Sequence, residues 1–201
     1  MESDPKRQYF NELAARWDSF ESIPDAATKI SEYIKRSTHP RPERILDIGC
    51  GTGILVPFLI QMNPETQLIV EFDFAEEMLK ENAGKFTDPR IIQVHGDARD
   101  LPFVVPAFDI ILCFNTFPHL GEPRDVLKQL FCCLRTAGIL TIGHMSASHD
   151  LNNFHGSLDA PVNMDHLLPA SDMGKILEEL GYCHLVTEEE KDWYFVRGEK
   201  S

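Results

Sequence analysis

The stretch Ile45-Leu46-Asp47-Ile48-Gly49-Cys50-Gly51-Thr52-Gly53 constrains this chain more than any other. Ile45, Leu46 and Ile48 form a short apolar run of strand character, and it stops at three alternating glycines. Glycine has no Cβ, so the turn can be tight and can lie close against a ligand. The segment Ile54-Leu55-Val56-Pro57-Phe58-Leu59-Ile60 then begins a helix whose amino end faces the turn. Strand, glycine turn and helix in that order predict an α/β unit whose ligand sits beyond the carboxyl end of the strand. Dinucleotide-binding folds share such a turn, so the turn alone does not fix the ligand.

The same alternation runs through the rest of the chain. Residues 5–20 read as an amphipathic helix with Phe10, Leu13, Ala14 and Trp17 at helical spacing. A second helix follows, with Pro24 in its first turn and Ala27, Ile30 and Ile34 on one face. These two N-terminal helices cover the sheet. Because Tyr9, Phe10 and Trp17 are larger than a cover requires, they also suit a lid over the ligand. Strands are expected at 67–73, 91–95, 108–113 and 138–143, with helices at 75–86 and from Pro123 onward, the latter ended by Gly138 as a left-handed cap. After His144 comes a long insertion, 146–170. A helix from Asp172 to Leu180 follows, capped by Ser171 and ended by Gly181, and then an edge hairpin of Tyr182 to Thr187 and Trp193 to Val196.

With Asp47 two residues ahead of its first glycine, the glycine turn resembles motif I of the class I S-adenosylmethionine-dependent methyltransferases, in their small-molecule branch. Asp73-Phe74-Ala75-Glu76-Glu77-Met78-Leu79 is similar to the family's second motif, although Ala75 stands where a serine or threonine is usual. Gly96-Asp97-Ala98 resembles the third motif. The resemblance implies a Rossmann-like, doubly wound, seven-stranded sheet, mostly parallel with one antiparallel edge strand. It also implies S-adenosylmethionine as cofactor, with Asp47, Gly49, Gly51 and Gly53 around the turn. Asp73 would hold the ribose, Asp97 with Ala98 the adenine, and Asn115 with Thr116 the methionine part, with Phe74 also at the cofactor. Tyr9 and Trp17 would close over it. The chain then divides into a helical cap (1–40), a cofactor core (44–143), an acceptor-side insertion (144–170) and a closing helix and hairpin (171–201), all in one domain.

A sulfonium methyl needs no further activation, so the main task is to aim a nucleophile and exclude water. An acceptor of high pKa would need a base, most often histidine. His119 follows the fourth strand, in Phe117-Pro118-His119, which resembles a quinone-methylating branch, although the lack of a basic helix or apolar tail disfavours a membrane quinone head group. The insertion region is histidine-rich: His144, His149, His155 and His166 make up four of the chain's eight histidines. His144, His155 and His166 join His119 as candidate catalytic residues. His144 is expected to face the methyl site, Asn152 and His155 to share a helix face, and Asn152 and Asp165 to orient an imidazole or hydrogen-bond the acceptor directly. Loop histidines without chemistry, and a divalent metal held by His144, His155 and His166 or Asp165, are the competing readings.

Net charge is −13 and the isoelectric point about 5.0. That balance disfavours nucleic acid, which needs a basic footprint. The acidic surplus from Glu178 to Asp192 reads as a solvated face. Five cysteines without a CxxC pair suit a reducing cytoplasm, no apolar run is long enough for a membrane span, and the first residues show no signal-peptide pattern. The function expected is methyl transfer to a small-molecule acceptor. A non-catalytic cofactor-binding or metal-sensing protein is the alternative.

Overall fold

The computed structural model describes residues 4–20, 25–37, 41–103 and 106–201; the helix start expected at Pro24 lies outside them. Seven strands form one sheet: β1 (Arg44–Ile48), β2 (Leu68–Asp73), β3 (Ile91–His95), β4 (Phe108–Phe114), β5 (Leu134–His144), β6 (Tyr182–Glu190) and β7 (Trp193–Lys200). Their spatial order is β3-β2-β1-β4-β5-β7-β6. The first five run parallel. The reversed strand, β7, pairs antiparallel with β5 on one side and with the edge strand β6 on the other. The order changes direction between β1 and β4, so a crevice opens beyond their carboxyl ends, where such sheets bind ligands.

The central strands are buried on both faces, which is why they read as nearly continuous apolar runs. Leu46, Ile48, Val70, Phe72 and Ile111 face one core, with Val126, Leu127 and Leu130 of α5 (Pro123–Cys133) and Met173 and Leu177 of α7 (Ala170–Glu179). Ile45, Ile69, Ile91, Ile110 and Leu112 face the other. There they meet Ile30, Tyr33 and Ile34 of α2 (Ala26–Arg36) and Val56 and Leu59 of α3 (Val56–Met62). Full burial of each such side chain is worth about 1.5–3 kcal/mol.

The two N-terminal helices have different jobs. While α2 packs on the sheet, α1 (Pro5–Leu13) joins a third, smaller cluster. Phe10 and Ala14 meet Ala75 and Met78, at the start of α4 (Glu76–Lys85), and Val162 of the insertion. The expected single helix over 5–20 tightens into a 3₁₀ segment at Ala14–Ser19. That segment brings Asp18 to the hydroxyl of Thr52, at 2.5 Å, and to Lys85. The helix end is thereby pinned to the glycine turn.

Three local expectations are corrected. Gly138 is not a left-handed cap. Leu134 already pairs with Phe108, so α5 ends at Cys133 and the strand begins four residues earlier through an irregular register. The positive φ falls on Ala137, at 62°. Gly138 is needed because a Cβ there would lie 2.8 Å from the Arg135 carbonyl oxygen. Ser171 does not cap α7, whose cap position is Pro169. The orphan N–H of Ala170 donates instead to Glu189 Oε2 at 2.8 Å, and Glu189 Oε1 takes the N–H and hydroxyl of Ser148. One acid of β6 thus satisfies the amino ends of α7 and of α6 (Ser148–Gly156), a helix inside the insertion. Burial opposes its charge, but the Ser148 and Ala170 hydrogen bonds hold its carboxyl below the usual range. Finally, the hairpin strands run on to Glu190 and Lys200. An edge strand with one wet face tolerates that charge, and Arg36 pairs with Glu188 in bidentate fashion at 2.5 and 2.6 Å.

Candidate active site

The crevice is a cavity of about 690 Å³. Its floor is the glycine turn. The Gly49 N–H donates to the Phe72 carbonyl at 2.7 Å, tying the turn to β2. Gly49 has φ +65°, and a Cβ there would sit 1.9 Å from Thr116 Oγ1. Gly51 has φ +54°, and its missing Cβ would meet nothing nearer than Trp17 Nε1 at 3.9 Å, so its backbone opens onto the cavity. Gly53 does not line the cavity; it makes room for Phe86 and Asn82.

Acids gather around this floor. Asp73 Oδ2 accepts from the Gly51 N–H at 2.9 Å and Oδ1 from the Ala75 N–H at 2.8 Å. Burial raises its carboxyl above the usual range, against the pull of those N–H groups. Asp47 is buried on the cavity wall with Oδ2 unpartnered. Burial first, then Glu71 and Asp73, push its carboxyl well up. Two buried acids on a cavity lining, beside an open glycine backbone, fit a ligand that brings a cationic group and hydroxyl donors. S-adenosylmethionine carries both. Asp97 and Ala98 lie on the wall as expected, but both oxygens of Asp97 already engage Arg99, at 2.6 and 2.9 Å. Phe74, Asn115 and Thr116 also line the cavity. Asn115 takes φ +53°, and its Oδ1 accepts from the Met145 N–H at 3.1 Å.

Helix α1 and its extension form the roof, with Tyr9, Phe10, Leu13 and Trp17 all on the lining. Phe10 sits at the centre, its ring 5.8 Å from Phe74 and 5.1 Å from His119.

The opposite wall comes from His119 and the insertion. His119 Nδ1 lies 2.6 Å from Asp165 Oδ2, and Lys6 Nζ lies 2.5 Å from Asp165 Oδ1. Burial raises the Asp165 pKa, but the His119 and Lys6 hydrogen bonds outweigh it and hold the carboxyl low. His155 is buried on the lining, its ring 5.0 Å from that of His119, and its Nδ1 bonds the Asp165 carbonyl at 3.0 Å. One residue of the insertion therefore fixes both imidazoles.

The four candidate histidines differ in exposure to the cavity. His119 and His155 meet on its lining. His144 does not line it. Strand pairing sets His144 opposite Tyr194, whose ring it meets at 5.7 Å; burial first, then the nearby His119 and His155, push its pKa down to about 3, and its Nε2 is buried without a partner. His166 is exposed, 3.4 Å from the Asn152 amide nitrogen. Asn152 brackets Leu167, accepting its N–H at 2.8 Å and donating to its carbonyl at 2.9 Å. Among the described residues no three His, Cys, Asp or Glu side chains are set to hold a metal ion.

Two participants escaped the sequence reading, Lys6 and Glu71. Asp165 was expected to orient an imidazole or to ligate a metal, though without His119 as its partner; Lys6 gave no local signal, because its pairing with Asp165 spans 159 residues. Glu71 had a signal: a charge in the middle of the apolar run Leu68-Ile69-Val70-Glu71-Phe72. It is fully buried, beside Asp47 in register, and takes the Asn82 amide N–H at 2.8 Å.

Residues 45–138 match the family described as a methyltransferase domain. A demethylmenaquinone methyltransferase of Clavibacter sepedonicus is 34% identical over 105 residues, covering 52% of this chain and 42% of its own length. The chain spans about half the length of the curated relatives it matches, between 42% and 54% for the first of them. Among solved structures, a phosphoethanolamine N-methyltransferase of Haemonchus contortus, in complex with S-adenosylhomocysteine, superposes with a TM-score of 0.78 at 16% identity, covering 96% of this chain and 58% of its own. An S-adenosylmethionine-dependent methyltransferase of Aquifex aeolicus gives a TM-score of 0.70 at 19% identity, over 97% and 98% of the two chains. No helix among the described residues is long and apolar enough to cross a membrane.

Proposed function

The chain belongs to the class I S-adenosylmethionine-dependent methyltransferases, and from that premise we propose that it transfers a methyl group to a small-molecule acceptor by in-line displacement. S-adenosylmethionine, when bound, supplies a methyl on a positively charged sulfonium. Asp73 accepts hydrogen bonds from the ribose hydroxyls. Asp47, on the same lining, takes the ammonium of the methionine part. Asp97, Ala98 and Phe74 take the adenine side, and Tyr9, Phe10 and Trp17 exclude water from above. His119 removes the acceptor's proton at Nε2. Asp165 holds the imidazole in that orientation and steadies the cation that forms.

The observation that carries this reading is the His119–Asp165 pair at 2.6 Å, whose imidazole lies on the cavity lining. A hydrogen-bonded base accounts for these side chains without a metal ion. The relatives' acceptors include menaquinone precursors and malonyl-[acyl-carrier protein]. The apolar wall and the net charge of −13 point to a small organic molecule rather than nucleic acid. Five free cysteines, three of them buried, suit a reducing cytoplasm.

The test pairs two readouts on His119→Ala. S-adenosylhomocysteine affinity by calorimetry should stay within about threefold of wild type, and methyl transfer to a panel of hydroxylated and amino acceptors should fall by about 10²–10⁴. A wild type that binds the cofactor but releases no S-adenosylhomocysteine with any acceptor class would instead support a binding or sensing protein.

A further inference from the structure

We propose that the acceptor is an uncharged, largely apolar molecule that donates hydrogen bonds to the Nε2 atoms of both His119 and His155, and that no ion pair holds it. The inference rests on the reading above and names its substrate class.

The cationic charges on the cavity lining are already paired. Among the described residues two cations line the cavity, Lys6 and Arg99, and each is already neutralised. Lys6 lies 2.5 Å from Asp165, and Arg99 lies 2.6 Å from Asp97 and 3.3 Å from Asp4. A carboxylate or phosphate on the acceptor would find no free cation. Taking Lys6 would strip Asp165, whose side chain is only 9% exposed, of one of its two partners. A cationic acceptor fares no better. The free oxygen of Asp47 and the carboxylate of Asp73 belong to the glycine-turn side, and Asp165 is shared between Lys6 and His119. The rest of the acceptor wall is apolar: Phe10, Met145, Leu151, Phe154, Leu158 and Val162.

The Asp165 backbone carbonyl can only accept, so the His155 Nδ1 that bonds it carries the hydrogen. Burial also pushes the His155 pKa down, which favours the neutral ring. The ionised Asp165 side chain likewise accepts from His119 Nδ1. In the neutral rings both Nε2 atoms are therefore lone pairs, on imidazoles 5.0 Å apart. Two acceptors on an otherwise apolar wall call for a ligand with two donors. One is the hydroxyl to be methylated. Its oxygen forms the new bond to the methyl carbon, its proton goes to His119 Nε2, and the carbon–sulfur electron pair stays on sulfur. The other donor meets His155 and sets the acceptor's orientation.

The test titrates four probes on one ring system into protein saturated with S-adenosylhomocysteine: naphthol, a naphthalenediol with adjacent hydroxyls, naphthoate and naphthylmethylammonium. We expect the diol to bind at least about tenfold tighter than either charged probe, and about 3–10-fold tighter than naphthol, the worth of one neutral hydrogen bond. In His155→Phe the gap between diol and naphthol should close. The wild-type ranking alone decides the charge argument if that variant fails to fold. Equal or tighter binding of naphthoate or the ammonium probe, or binding of none of the four, overturns the proposal. Failure of S-adenosylhomocysteine itself to bind would instead overturn the cofactor reading beneath it.

Discussion

Replacing Glu71 by glutamine should stabilise the protein by an amount that grows as pH rises from about 4.5 to about 7. Glu71 is fully buried in β2, with Oε1 unpartnered and Oε2 on the Asn82 amide. The anions facing it are Asp47, its neighbour on β1, and Asp73 on its own strand; from β3 comes Gln93, which reaches Asn82 at 3.1 Å. Burial, with Asp73 adding to it, raises its pKa from 4.5 to about 7, against the hydrogen bonds from Asn82 and Cys50. The folded pKa lies above the unfolded one, so the folded state holds more protons between those values. Stability from this group is full below pH 4.5 and is lost as pH rises through about 7. At about 1.36 kcal/mol per unit, the loss is about 3 kcal/mol. Glutamine keeps an oxygen for Asn82 and cannot ionise. Urea unfolding of wild type and Glu71→Gln should therefore give nearly equal stabilities near pH 4.5 and a variant up to about 3 kcal/mol more stable at pH 8. A difference independent of pH, or a variant less stable at pH 8, would refute the account of this buried acid cluster.

Asp165→Asn should leave S-adenosylhomocysteine affinity nearly unchanged while lowering methyl transfer by about 10²–10⁴, because the amide neither fixes the His119 tautomer nor steadies its cation; unchanged turnover would remove His119 as the base. Gly49→Ala should cost at least about 2 kcal/mol, since it combines a left-handed backbone with a collision at Thr116. An unaltered thermal midpoint would contradict the tight turn.

Much of the fold was legible because its signals are local. Buried parallel strands declare themselves as apolar runs between glycines, and Gly181, at φ +94°, ends its helix as its position suggested. Where tertiary pairing decides, local signals mislead. Gly138 looks like a cap because it follows a helical pattern, yet the Leu134–Phe108 pairing starts the strand before it. Ser171 looks like a cap, yet a glutamate 18 residues later takes the N–H of Ala170. Asp47, Gly49, Gly51, Asp73 and Asp97, each named from a few contiguous residues at a strand end, all line the cavity. The histidines divided: His119 and His155 line the cavity, and His144 and His166 do not. His144 was expected there because β5 ends at the crevice, but the period of two along a strand turned it to Tyr194. The pairing that organises the wall joins His119 to Asp165 across 46 residues and Lys6 to Asp165 across 159.

The most direct test of the central claim is a calorimetric titration of S-adenosylhomocysteine into wild type and Asp73→Ala, with NAD as a control ligand for the glycine turn. The account predicts saturable binding to wild type and none of NAD. It predicts a loss of about 1.5–3 kcal/mol in Asp73→Ala, the worth of hydrogen bonds to a charged acceptor. No heat with the wild type, preference for NAD, or equal affinity in the two proteins would contradict it.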